Sequence, residues 1–257
     1  MAKSLTRAGQ IDDWDRHWSE FGEAAERAPA VKYRRRLIFR LLDLPAPSTP
    51  LQMLEIGSGQ GRFAKEFCGR MPKARFLGLE LSHVAVKIAA EKVPSARFLQ
   101  RDLLQPVAAG DVPSDFKAEY AVCSEVLEHV EDPPTLLRNA SAYLAAGCQL
   151  VITVPGGPMG AFDKHIGHRK HYTTRILRQE LENAGFRVSR VYAAGFPFFN
   201  LYRIGVTMRG ENLVKDVTGE PSLLVRAAMA AFDVLFRFNL MRGGYQVLAV
   251  ATWPDRK

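Results

Sequence analysis

LEIGSGQGRF, residues 54–63, places glycine at 57, 59 and 61, directly behind an apolar run that carries one carboxylate. An apolar run closed by glycines and followed by FAKEFCGRM reads as strand, loop and helix. Glycines here permit a tight turn and let a ligand lie against bare backbone, with the amides that open the helix pointing at it. A dinucleotide loop wants G-x-G-x-x-G, whereas here the third glycine falls one residue early and position 62 is arginine. A P-loop is excluded because no Gly-Lys-Ser/Thr follows. The glycines alone leave two readings, a ligand loop or a plain strand-to-helix turn.

Outward from this loop the pattern alternates. Segments 51–57, 74–81, 96–103, 118–126, 148–156, 187–195 and 245–253 read as strands. Helices are expected over 61–71, over 82–93 with Ser82 as N-cap, over 132–147 from two prolines to Gly147, and over 173–186 up to Gly185. Strands and helices at this spacing predict an α/β fold, a doubly wound parallel sheet covered on both faces. Residues 11–44 read as helices; the second sets Leu37, Ile38, Leu41 and Leu42 on one face and a basic cluster on the other. The expected division is a helical lid and connector over 1–50, a core over 51–193 rejoined by 244–257, and a helical insertion over 194–243 that caps the substrate.

Three carboxylates narrow the ligand. Glu55, Glu80 and Asp102 end the first three strands of the core, which places them side by side at the carboxyl edge where doubly wound sheets bind ligands. Glu80 lies roughly 20 residues beyond the glycines, where a carboxylate accepts ribose hydroxyls. Asp102 is placed to accept from an exocyclic amine, and Glu55 to meet an ammonium group.

With these residues in view, LEIGSGQGRF, LGLELS, QRDL and AVCSEVLEHVEDP resemble the successive motifs of class I S-adenosylmethionine-dependent methyltransferases. The branch they are most similar to includes the ubiquinone-biosynthesis O-methyltransferases. The resemblance covers about 50–192 and the final strand. It implies a Rossmann-like seven-stranded sheet whose last strand is inserted antiparallel beside the sixth. It also implies that Gly57, Ser58, Gly59 and Gly61 surround the methionine part of S-adenosylmethionine. Glu80, with Leu81 beside it, then holds the ribose, Asp102 and Leu103 flank the adenine, and Ser124, Glu125 and Val126 line the fourth strand's edge. The rival readings are an NAD-dependent oxidoreductase and a non-catalytic binding protein of the same fold.

Methyl transfer from a sulfonium is a displacement that needs alignment and, for a hydroxyl acceptor, a base. The candidate bases are His129, and His165 and His168 in DKHIGHRKHYT, since histidine titrates near neutral pH. A sharper reading gives Glu125, Glu128 and His129, at i, i+3 and i+4, with His165 or His168, to a divalent metal that polarises the hydroxyl; the alternative is a hydrogen bond that braces the loop. Near the N-terminus Trp14, Trp18, Phe21 and Tyr33 read as core beneath a lid, or Tyr33 and the arginines at 34–36 close over cofactor or substrate.

A net charge of +8 suits acidic partners, yet the basic residues are dispersed and no RNA-binding signature appears, which disfavours nucleic acid. Cys68, Cys123 and Cys148 lack C-x-x-C spacing, so neither a disulfide framework nor a zinc ribbon is expected and a reducing cytoplasm fits. MAKSLTRAGQ does not read as a secretory signal, and charges interrupt every apolar stretch, so no membrane span is expected. The insertion mixes aromatics with arginines. That suits a small-molecule or lipid-like acceptor and peripheral contact with a membrane; a plain helical cap or a homodimer interface is the alternative.

Overall fold

The computed structural model describes residues 3–5, 11–15, 18, 28–108, 110–209 and 223–255. Lys3–Leu5 (β1) and Ile11–Asp13 (β2) pair antiparallel, Leu5 opposite Ile11. Helix was expected across 11–13; pairing with β1 holds the backbone extended instead. Trp14, Asp15 and Trp18 are helical. Pro29–Leu41 (α1) starts on the proline, whose missing N–H costs nothing in a first turn, and buries Leu37, Ile38 and Leu41.

The glycine loop joins Gln52–Ile56 (β3) to Arg62–Arg70 (α2). Arg75–Glu80 (β4), His83–Lys92 (α3), Arg97–Gln100 (β5), Ala118–Ser124 (β6), Pro133–Ala140 (α4) and Leu144–Pro155 (β7) follow. Next come the short helix Ala161–His165 (α5), Thr174–Asn183 (α6), Arg187–Ala194 (β8), Phe198–Arg209 (α7), Leu223–Leu235 (α8) and Gln246–Thr252 (β9). Ser82 Oγ accepts from Ala85 N–H and caps α3 as expected. Gly185, at φ +96°, closes α6: its N–H and that of Phe186 return to Glu182 and Leu181, satisfying carbonyls the helix leaves open.

The seven-stranded sheet runs β5-β4-β3-β6-β7-β9-β8. The pairs from β5 to β7 are parallel, and β9 enters antiparallel between β7 and β8. Alternation along β3 sends Leu54 and Ile56 into one apolar layer with Leu137 and Leu181, and Met53 into the other with Ile38 and Phe67. Both faces are thereby covered.

Gly147 does not close a helix. α4 ends at Ala140, a 3-10 turn buries Tyr143, and β7 begins at Leu144. Gly147, at φ +80°, sits in the irregular stretch of the β6–β7 pairing and donates to Trp253 O. Among the described residues no helix is long and apolar enough to cross a membrane.

Strand order reverses between β3 and β6, and a parallel sheet opens a crevice there. Gly57 lies at its mouth with φ +72°; a Cβ on it would come 2.3 Å from Val126 Cγ2. Gly57→Ala is therefore expected to lower stability by roughly 1–3 kcal/mol. Urea unfolding checks this, and a wild-type midpoint would show that the loop tolerates a side chain.

Candidate active site

A cavity of about 310 Å³ opens at this crevice. Its floor is the glycine loop. Gly57 and Ser58 N–H both donate to Leu79 O, pinning the loop across to β4. Gly59 N–H donates to Glu80 Oε2 at 2.8 Å, and Ser82 N–H donates to Glu80 Oε1 at 3.0 Å. Glu80 thus holds loop and strand end together while still facing the cavity. Burial raises its pKa despite the amides that favour its charge.

Glu55 lines the same cavity, with one carboxylate oxygen lacking a hydrogen-bond partner among the described residues. Burial, then the neighbouring Glu80, pushes its pKa well above the usual carboxylate range. Ser58 Oγ is likewise buried without a partner among the described residues. Asp102 uses Oδ1 to accept from Leu104 N–H, and with Leu81 and the buried Leu103 it lines the far end.

The opposite wall begins at Ser124, Glu125 and Val126. Glu125 adopts φ +55°, which swings its carboxylate away from a helical face. It accepts from Thr153 Oγ1 and Gln246 Nε2 and pairs with Arg34 at 3.4 Å. The expected i, i+3, i+4 face over 125–129 is therefore not formed; only Leu127–His129 makes a 3-10 turn.

Glu128 is fully buried, and neither carboxyl oxygen finds a hydrogen-bond partner among the described residues. Burial, then Glu125, raises its pKa well above normal. Two imidazoles face it, His129 Nε2 at 3.9 Å and His168 Nε2 at 4.0 Å. Their tautomers follow from their other nitrogens. His129 Nδ1 lies 3.2 Å from Gly167 O, which only accepts, so Nδ1 carries the proton. His171 Nδ1 must likewise donate to Gly157 O, so its Nε2 accepts from His168 Nδ1. Both Nε2 lone pairs then point toward one buried acid. Burial is the main cause that lowers the His168 pKa to about 3, with Asp163 opposing it.

Two expected residues stand elsewhere. Tyr33 does not line the cavity: it packs in a buried aromatic cluster with Phe199 and Phe236, where burial raises its pKa to about 12. His165 is exposed at the end of α5, because that helix turns Asp163, not His165, inward to Arg203. Phe21 lies outside the described residues. The expected metal set is not assembled, since Glu125 is engaged with Arg34, Thr153 and Gln246. Glu128, His129 and His168 do converge, with both nitrogens 3.9–4.0 Å from one carboxyl oxygen, a grouping close enough to hold an ion without Glu125. Asp163, in the second such group with His168 and His171, is held by Arg203 and Gly160 N–H.

Other wall residues come from outside the motifs. Trp14 meets the His129 ring edge-on at 4.9 Å, and Trp18 lies over Gly59, where a Cβ would come 2.7 Å from the indole. Arg34 and Arg35 reach the cavity from α1. Gln246 was missed in the sequence, although a single amide at the head of the apolar run VLAVAT was the signal for it.

The methyltransferase-domain family matches residues 30–191, well over half of the chain. The chain belongs to this family. Its fold and its relatives place it among the class I S-adenosylmethionine-dependent methyltransferases, and S-adenosylmethionine is the cofactor. It is 27% identical over 216 residues to the ubiquinone biosynthesis O-methyltransferase of Thiobacillus denitrificans, covering 74% of this chain and 85% of that one. To the trans-aconitate 2-methyltransferase of Deinococcus radiodurans it is 29% identical, over 52% of this chain. This chain spans 47% of that protein's length and 42% of the corresponding Variovorax paradoxus enzyme. In fold it is similar to the methyltransferase solved with the Haloferax volcanii Trm112 activator (TM-score 0.61, 16% identity, 95% of this chain and 99% of that one). It is also similar to Haemonchus contortus phosphoethanolamine N-methyltransferase 2 with S-adenosyl-L-methionine bound (TM-score 0.55, 16% identity, 86% and 52%).

The cavity's donors fit that cofactor. Glu55 has an unmatched oxygen for an ammonium, Glu80 keeps unused lone pairs for a diol, and the glycines leave room that a Cβ would fill. The depressed His168 pKa carries a consequence for stability. Unfolded, the imidazole titrates near 6.5; folded, it resists protonation until about 3. Stability is therefore full above about 6.5 and is lost as pH falls toward 3, by up to about 1.4 kcal/mol per pH unit for this one proton. His168→Gln is expected to flatten that slope in urea titrations; an unaltered slope would place the titration on another group.

Proposed function

We propose that this protein transfers the methyl group of S-adenosylmethionine to an oxygen of a small or lipid-like acceptor, with nitrogen as the second choice of atom. The observation that carries the reading is His129, a residue of the cavity wall whose Nδ1 proton goes to Gly167 O, which makes Nε2 the basic nitrogen. The relatives' names, an O-methyltransferase and a trans-aconitate methyltransferase, support oxygen.

When bound, S-adenosylmethionine supplies a methyl group on a cationic sulfur, open to direct displacement. Every other role falls to the chain. Glu55 meets the cofactor's ammonium and regains its charge against it. Glu80 accepts the ribose hydroxyls while keeping its grip on Gly59 and Ser82. Asp102 and Leu103 enclose the adenine. Trp14 and Trp18 exclude water from the mouth, which strengthens the electrostatic contacts beneath them. His129 Nε2 takes the acceptor's hydroxyl proton, and Gly167 O holds the Nδ1–H of the imidazolium that forms. His168 is a positioning residue, meeting the His129 ring edge-on at 4.8 Å. No covalent nucleophile is needed.

Two variants separate binding from chemistry. Glu80→Ala is expected to weaken S-adenosylmethionine binding about ten- to a hundredfold by calorimetry, the range for a lost hydrogen-bonded charge. An unchanged dissociation constant would remove Glu80 from the ribose. His129→Ala is expected to cut turnover by about 10²–10⁴ while cofactor affinity stays within about twofold. Turnover is read with labelled cofactor against lipid, small-molecule, protein and RNA fractions of a lysate. Label entering only protein or RNA would overturn the acceptor class, and full activity of His129→Ala would overturn the base.

A further inference from the structure

The described residues include nine exposed large apolar side chains, and all but Ile176 fall between 196 and 240. They lie on the outer side of the helical pair α7 and α8. Inward, the pair is well covered: Tyr33, Phe199, Tyr202, Phe232 and Phe236 interlock with ring centroids 5.2–6.2 Å apart. Outward, it is apolar again. Leu201, Ile204 and Met208 recur at i, i+3 and i+7, one stripe of α7, and Met208 is 83% exposed. On α8, Leu223 at 82% and Val234 stand three turns apart on one face, and the exposed positions between them are alanines and Arg226. Phe196 and Leu240, joined by backbone pairing, and Phe238 extend the patch at one end. A helix apolar on both sides is at home in a large core or at a lipid boundary.

The charges choose between possible occupants. Arg226, Arg237 and Arg242 are exposed around the patch. Asp233 is the single acid among the described residues of 196–244, and it turns inward to Arg36 at 2.9 Å and Lys32 at 3.9 Å. The outer face thus carries cations and apolar groups with no described acid. A second copy docked on it about a two-fold axis would set arginines against arginines. A bilayer with anionic headgroups satisfies both components, apolar side chains entering the headgroup boundary and guanidiniums meeting phosphates.

We propose that the outer face of α7 and α8 docks this protein on an anionic membrane surface. The surface stands independently of the methyl-transfer reading, although the two meet at α1. That helix holds α8 through Arg36 and Lys32 and lends Arg34 and Arg35 to the cavity wall.

Flotation of the full chain with vesicles tests the proposal. Phosphatidylcholine vesicles with about one-quarter phosphatidylglycerol should bind it, and salt should weaken the binding. Pure phosphatidylcholine should bind it at least about tenfold more weakly. Each of Arg226→Glu and Arg237→Glu should cost about fivefold or more. Met208→Glu with Leu223→Glu should cost more than about tenfold, with the melting temperature and the S-adenosylmethionine dissociation constant unchanged. Met208→Trp, which keeps the apolar surface, should show fluorescence quenched by brominated lipid chains. No binding of the wild-type chain to anionic vesicles, or binding that neither set of substitutions changes, would overturn the proposal. So would a wild-type dimer in sedimentation that Met208→Glu abolishes, because it would give the face to a second copy. Failure to bind S-adenosylmethionine would end the methyl-transfer reading and leave the vesicle result intact.

Discussion

A single buried carboxylate ties the first two strands of the core together at their carboxyl ends. Glu80 accepts one amide from the glycine loop and one from the turn that opens α3. Each amide would otherwise lack a partner inside the protein, and a buried carboxylate without donors would cost several kcal/mol (roughly 1–3 for a hydrogen bond alone). The loop can take this path only because Gly57 and Gly59 bring no side chain against Val126 and Trp18. The crevice, the cavity and the place of Glu55 beside it all follow from that arrangement.

Much of this was legible because it is local. Short, nearly continuous apolar runs marked the strands of the core, and cap residues such as Ser82, Thr173 and Gly185 work through neighbours a few positions away. Their chemistry is complete in the sequence. The antiparallel entry of β9 was an expectation carried by family resemblance, and the pairing of Gln246–Thr252 with both β7 and β8 bears it out. Gly147 misled because a glycine after a helical pattern can close the helix or loosen a strand entry, and burial of Tyr143 decided for the latter.

What was not legible depends on distant partners. Glu125 belonged by spacing with Glu128 and His129, but a left-handed backbone, Thr153, Arg34 and Gln246 take it elsewhere. The chain of imidazoles from Gly157 through His171 and His168 to Glu128 joins two loops almost forty positions apart, and its tautomers are set by carbonyls that no pattern announces. Tyr33 left two readings in the sequence, core beneath a lid or closure over the cofactor with the arginines at 34–36. Its ring has Phe199 and Phe236 to pack against, and only the insertion's fold reveals them.

The backward run of β9 has an effect on assembly order. Because β9 lies between β7 and β8, the earlier-made edge strand cannot join the sheet until residues that emerge later slip in beside it. Gln246, at the head of β9, is also the amide that steadies Glu125 in the cavity wall. A nascent chain therefore carries a finished glycine loop before it carries a finished acceptor wall. The strand that closes the sheet therefore also completes the hydrogen bonding of Glu125.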